Sequence, residues 1–247
     1  MRRIHCTDCR ARPGNPVCDL PTDVLGDFRA AGSAMLYRPR QVIFGEGMPA
    51  AALYLVCHGA VKLYHSDRFG RDYILEIAAP GSLLGELSLD EDDTMSVSAE
   101  AQTEVQVLYL PRNRLAAFVE RHPETAVRLL AALSRELAGA RHKIRDLAFK
   151  SAESRLAGLL LQLAGARGGV PARRLQLPYT RRALAEMIGV STETAIRLLA
   201  TLKRKGTIAT EGREVVIADA AQLARIARHD DPTELEIQRD DDAQRES

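Results

Sequence analysis

No stretch of the 247-residue chain approaches the ~20 consecutive apolar residues that a membrane-spanning helix requires, although 46% of its residues are hydrophobic. The arginines at positions 2 and 3 are not followed by a hydrophobic stretch, so the N-terminus does not read as a secretory signal and a soluble cytoplasmic protein is expected. Also missing are a Ser/His/Asp constellation, a glycine-rich phosphate loop and an HExxH metal site, and the six histidines are scattered. These absences argue against an enzyme. From His229 onward apolar residues are almost gone, and eight acids face only Arg239 and Arg245. That net of −6 predicts a disordered acidic tail over residues 229–247. The formal charge of +1 therefore hides a body carrying +7.

Much of that positive charge gathers in one region. Residues 173–214 hold nine Lys/Arg against four Asp/Glu, a net of +5. Within them, Thr180 stands where it can cap a helix running to Ile188, and Gly189 supplies a tight turn. Val190 points inward, and Ser191 caps a second helix running to about Lys203. Ala195, Leu198, Leu199 and Leu202 recur at i, i+3, i+4 and i+7, which makes them its buried stripe. Glu193, Arg197, Ala200 and Arg204 then share the opposite face, with Thr192 and Ile196 at its edges. Residues 207–210 and 214–217 are β-rich runs joined by Glu211-Gly212-Arg213, a hairpin signal. The pattern is that of a winged helix-turn-helix, whose second helix lies in the DNA major groove while local cations attract phosphates.

Upstream, short β-like runs at 41–44, 52–56, 60–64, 73–77 and 105–110 alternate with glycine-bearing turns, as in an antiparallel roll. After Arg112 the pattern turns helical. Leu130, Leu133, Leu137, Ala140, Ile144 and Leu147 follow spacings of three and four, a heptad seam that predicts self-association as a homodimer. A further helix covers Arg155 to Ala164. The chain thus reads as α+β: a cysteine-containing segment (1–20), an antiparallel β-roll (21–122), a long dimerisation helix (123–150), a winged helix-turn-helix (151–228) and the tail.

That order resembles the cyclic-AMP receptor/FNR family of bacterial transcription regulators. The supporting stretches are Leu53-Tyr54-Leu55-Val56 with Gly59, Val61-Lys62-Leu63-Tyr64, Pro80-Gly81 with Gly85-Glu86-Leu87, Asp146-Leu147-Ala148-Phe149, Arg155-Leu156-Ala157 and the block from Gly189 to Arg197. The resemblance implies a cyclic-nucleotide-binding-like roll, a dimer on palindromic promoter DNA, and RNA polymerase as partner. It also implies that Glu193 accepts from a cytosine amine and Arg197 spans guanine O6 and N7. Ile196 departs from the Ser or Gly of the two main subfamilies and can touch a thymine methyl. Thr180, Arg181, Ser191, Thr192 and Arg204 complete the expected DNA-binding set.

Two readings of the sensed signal compete. Gly85-Glu86-Leu87 matches the family's ribose-binding turn, but the Arg-Ser pair that holds a cyclic phosphate is replaced by Met95-Ser96, and the purine-binding Thr-Ser pair by Ala140-Arg141. An anion brought into such a pocket loses hydration with little return, so cyclic AMP is disfavoured. The other reading rests on Cys6-x2-Cys9-x8-Cys18, where FNR-type members hold three thiolates of an oxygen-labile iron–sulfur cluster. The family's fourth cysteine falls at Leu108 here, leaving Cys57, His5, Asp8, Asp19 or His58 to complete the set. Zn²⁺, a thiol redox switch and a gas-binding haem are the alternatives.

Overall fold

The computed structural model describes residue 15 and residues 18–86, 92–165, 174–176, 180–211 and 214–228. The expected acidic tail lies outside them, as do Cys6 and Cys9. The chain divides into two compact units, residues 1–138 and 139–247.

The first unit opens with α1 (Thr22–Ala31) and β1 (Ser33–Tyr37), followed by β2 (Val42–Phe44), β3 (Ala52–His58), β4 (Val61–Ser66), β5 (Asp72–Ala78), β6 (Leu83–Leu84), β7 (Ser98–Ala101) and β8 (Val105–Pro111). The strands form two antiparallel sheets, ordered β1-β8-β3-β6 and β2-β7-β4-β5. Alternation along β3 and β8 explains why the middle of the first sheet faces a core on each side. Val56, Val105 and Val107 face a core shared with Phe44, Val61, Met95 and Ala99. Leu53, Leu55, Leu108 and Leu110 face a second core built with Leu25 and Phe28 of α1. Leu115 and Phe118 close it from α2 (Arg112–Arg121), with the Phe28 and Phe118 rings edge-to-face at 5.2 Å.

Helix α3 (Glu124–Phe149) crosses the division between the units. The second unit then contains α4 (Ala152–Gly165), β9 (Arg174–Gln176), α5 (Arg181–Ile188), α6 (Thr192–Arg204), β10 (Ile208–Glu211), β11 (Glu214–Ile217) and α7 (Ala220–Arg228). Its core joins Leu156 and Leu160 of α4 to Leu184, Leu199, Leu202, Ile208, Val215 and Leu223. The wing has three strands, ordered β10-β11-β9, one more than the two β-rich runs suggest. Among the described residues no helix is long and apolar enough to cross a membrane.

Candidate functional site

Both helices of the helix-turn-helix start on side-chain caps. The Thr180 hydroxyl accepts from the Ala183 N–H at 3.1 Å, and the Ser191 hydroxyl from the Thr194 N–H at 3.2 Å. Gly189 ends α5 in the left-handed region at φ 68°, a conformation that a Cβ resists, and Val190 packs on the domain core. Ala195, Leu199 and Leu202 are buried and Leu198 is partly so. Glu193, Ile196, Arg197, Ala200 and Arg204 are exposed together along the opposite face of α6, and Thr192 is half-buried beside them. Arg181 is exposed at the start of α5.

The electrostatics of α6 suit base reading. Backbone N–H bonding at the helix N-terminus, then the Ser191 hydroxyl and the nearby Arg197 charge, hold the Glu193 carboxyl below its ordinary value, so it stays an acceptor. Arg197 donates to the Thr194 hydroxyl at 3.3 Å, which itself bonds Ser191 at 3.0 Å. The guanidinium is therefore tethered to the cap. Arg204 is held in the same way by the Thr201 hydroxyl at 3.0 Å.

Two of the four cysteines lie on one apolar cluster. Cys18 and Cys57 both pack, partly buried, against the α1/β3/β8 core, together with Leu129 and Ala132 of α3. Asn15 organises the approach. Its side-chain oxygen accepts from the Cys18 N–H at 2.9 Å, and its amide donates to the Gly81 carbonyl at 2.8 Å. The Gly81 N–H donates to the carbonyl of Val56, next to Cys57, at 2.8 Å. Arg128 of α3 donates to the Asp19 carbonyl at 2.9 Å. Neither Asn15 nor Arg128 stood out in the sequence, although an Asn between Gly14 and Pro16 is a turn residue with a capping side chain. Leu55 pairs with Leu108 across β3 and β8, and Cys57 lies two residues beyond Leu55 on the same face. Among the described residues no group of three or more His, Cys, Asp or Glu is arranged to hold a metal ion.

The ribose-turn residues are engaged within the roll. The Glu86 carboxylate accepts from the Ser96 N–H at 2.9 Å and from the Ser96 hydroxyl. Gly85 has φ 92°, and a Cβ there would come within 2.8 Å of the Ala52 carbonyl, so its glycine is accounted for by the turn. Met95, at the position of the phosphate-binding arginine, is 2% exposed within the roll core. Beside it Tyr54 packs between Phe44 and Tyr109, and burial pushes its hydroxyl up to about 12.

On α3, Leu130, Leu133, Leu137, Ala140, Ile144 and Leu147 are all exposed, and Val127 adds a further uncovered apolar side chain one turn earlier.

The comparisons with known proteins agree with this geometry. Residues 35–122 match the cyclic nucleotide-binding domain family and residues 154–226 the Crp-like helix-turn-helix domain family. The CRP-like cAMP-activated global transcriptional regulator of Mycobacterium tuberculosis is 34% identical over 188 residues, covering 75% of this chain and 84% of the relative. The transcriptional activator protein Anr of Pseudomonas aeruginosa is 28% identical over 235 residues, covering 92% and 94%. Among solved structures, FixK2 from Bradyrhizobium japonicum superposes with a TM-score of 0.68 at 28% identity, over 80% of this chain and 98% of that one. A β-roll, a long helix and a winged helix-turn-helix in this order define a DNA-binding transcription regulator. The chain belongs to the Crp/Fnr family: it is a DNA-binding transcription regulator, and its relatives are regulators rather than enzymes.

Proposed function

We propose that this regulator is a homodimer that reads a palindromic promoter, acts on RNA polymerase there, and responds to oxygen or redox state through an iron–sulfur cluster on Cys6, Cys9, Cys18 and Cys57. The observation that carries the sensor reading is Cys57 itself. It stands on the strand next to that of Leu108, the family's fourth-cysteine position, packs on the same apolar cluster, and sits at the register shift between Val56 and His58. Soft thiolates in an apolar, partly buried setting suit an iron–sulfur cluster, which when bound supplies oxygen-sensitive redox chemistry. Against cyclic AMP stand the buried Met95 and the engagement of Glu86 by Ser96.

The chain's own bonds supply a route for the signal. Asn15 fastens the cysteine segment to the roll at Gly81, and Asp19 fastens it to α3 through Arg128. Holding Cys18 against the roll therefore also holds the first turns of α3, beside the exposed seam. Loss of that hold shifts the population of seam packings, and with it the alignment of the two α6 helices on DNA. On the DNA, Thr180, Arg181, Ser191, Thr192 and Arg204 contact phosphates and flanking edges. Glu193, Ile196 and Arg197 read bases.

Anaerobic purification with absorbance, iron and sulfide analysis tests the sensor. A coloured, iron-containing protein is expected, with iron lost in Cys57→Ala and restored when Leu108→Cys is added. A colourless, iron-free anaerobic protein refutes it. Binding to labelled palindromic promoter DNA tests the regulator, and indifference to every duplex refutes that part.

A further inference from the structure

The first turn of α4 holds both ends of the recognition unit. Ser151 caps this turn, its hydroxyl accepting from the Ser154 N–H at 3.2 Å. One turn in, the Arg155 guanidinium forks. One N–H donates to the Lys150 carbonyl at 2.7 Å, immediately after the end of α3. The Nε–H donates to the Ile188 carbonyl at 3.1 Å, at the last residue of α5 where the chain enters the turn to α6. A carbonyl in the last turn of a helix has no partner within that helix, so this bond fills a vacant acceptor. Lys150 is itself fixed to the last turns of α3 by its ammonium on Asp146 at 2.9 Å. At the far end of α6, Lys205 closes the helix, and its ammonium reaches back to Glu153 at 2.7 Å. Between these two ties, Leu199 and Leu202 of α6 and Leu156 and Leu160 of α4 share one core.

Apolar packing is non-directional, whereas the two charge-assisted bonds, one at the last residue of α5 and one at the C-terminal end of α6, are directional. Glu153 bonds Lys205, and Arg155 is half-buried with its bonds on backbone carbonyls. We propose that Arg155 and Glu153 are positioning residues for DNA reading. They form a two-point clamp that sets the pitch of α6 against the junction of α3 and α4, so that Glu193 and Arg197 meet base edges in register. The clamp acts on specific binding. Non-specific attraction to phosphates depends on charge and tolerates a misaimed helix.

The test uses the full-length protein on a palindromic promoter duplex and on a random duplex of equal length. Arg155→Met keeps the aliphatic stem, and Arg155→Lys keeps the charge but not the fork. Both are expected to lower the ratio of specific to random affinity about tenfold, the scale of one lost charge-assisted bond, with random binding and its salt slope unchanged. The Glu153/Lys205 pair provides an arm that leaves the half-buried arginine intact. Glu153→Lys alone should lower the ratio, and adding Lys205→Glu should restore it. The proposal is overturned if the Arg155 variants keep the parental ratio or lose both kinds of binding equally. It is equally overturned if the charge swap fails to restore the ratio lost in Glu153→Lys.

Discussion

Helices α3 and α6 carry the same kind of apolar stripe at helical spacing, yet the stripes meet opposite fates. On α6, Ala195, Leu199 and Leu202 are 0–2% exposed because α5, α4 and strand β10 of the wing pack against this helix. On α3, Leu130, Leu137 and Ile144 are 52–66% exposed along a helix of 26 residues. The stripe of α6 is three to four positions wide per two turns, the width of a helix bedded in its own domain. That of α3 is a narrow two-in-seven seam, the width that a second helix covers. Stripe width therefore separates a face satisfied within the chain from one left uncovered, as the proposed dimer requires.

The largest expected effect falls on the uncovered stripe. Leu137→Asp with Ile144→Asp should leave the protein monomeric in sedimentation while each unit stays folded. Specific DNA affinity should then drop on the order of 100-fold or more as the two half-sites lose their linkage. A variant that stays dimeric would remove the seam from the account. The covered stripe should respond differently. Leu202→Ala empties part of a packed core and should cost about 2–5 kcal/mol of unfolding free energy, read from denaturant melts, with no change in oligomeric state. Leu133→Ala on α3 should do the reverse, weakening association and sparing the folded unit. Next in size is the exposed face of α6. Arg197→Ala should cost about 1–3 kcal/mol on a promoter site and relax preference at one G·C pair. Equal loss on specific and random DNA would refute its base-reading role.

What the sequence displayed follows from these same differences in signal strength. The helix-turn-helix was legible because Thr180, Gly189 and Ser191 each impose one local geometry, and the structure has all three in those roles. Five roll strands were legible as β-rich runs. Three were not. β1 is almost wholly exposed and shows no alternation, β7 reads Ser-Ala-Glu-Ala, and β6 has two residues. Helix α1 lacks a side-chain cap and holds Gly26 in its middle, and β9 has three residues whose partner, β11, lies some forty positions on. Sequence could name Cys57 but not its place at the register shift between Val56 and His58 beside β8, because strand register is a long-range property. The ties made by Asn15, Arg128 and Arg155 go to backbone carbonyls, which leave no trace in side-chain patterning.

A smaller effect separates the cap from the face it supports. Ser191→Ala removes the acceptor for the Thr194 N–H and the anchor of the Thr194–Arg197 tether, at about 1 kcal/mol of stability. Smallest of all is the response of Glu193 to acid. Its carboxyl lies below the ordinary 4.5 because the helix N-terminus, then Ser191 and Arg197, favour the charged form. For a depressed carboxylate that favourable term is complete above the unfolded value and disappears only as pH falls through the folded one. Discrimination for C·G at the base facing Glu193 should therefore be flat across the neutral range and down to the ordinary glutamate value, fading only below it. Glu193→Gln should lower that discrimination at every pH. A preference that faded already between neutral pH and the ordinary glutamate value would mean that another group, with a higher pKa, reads that base.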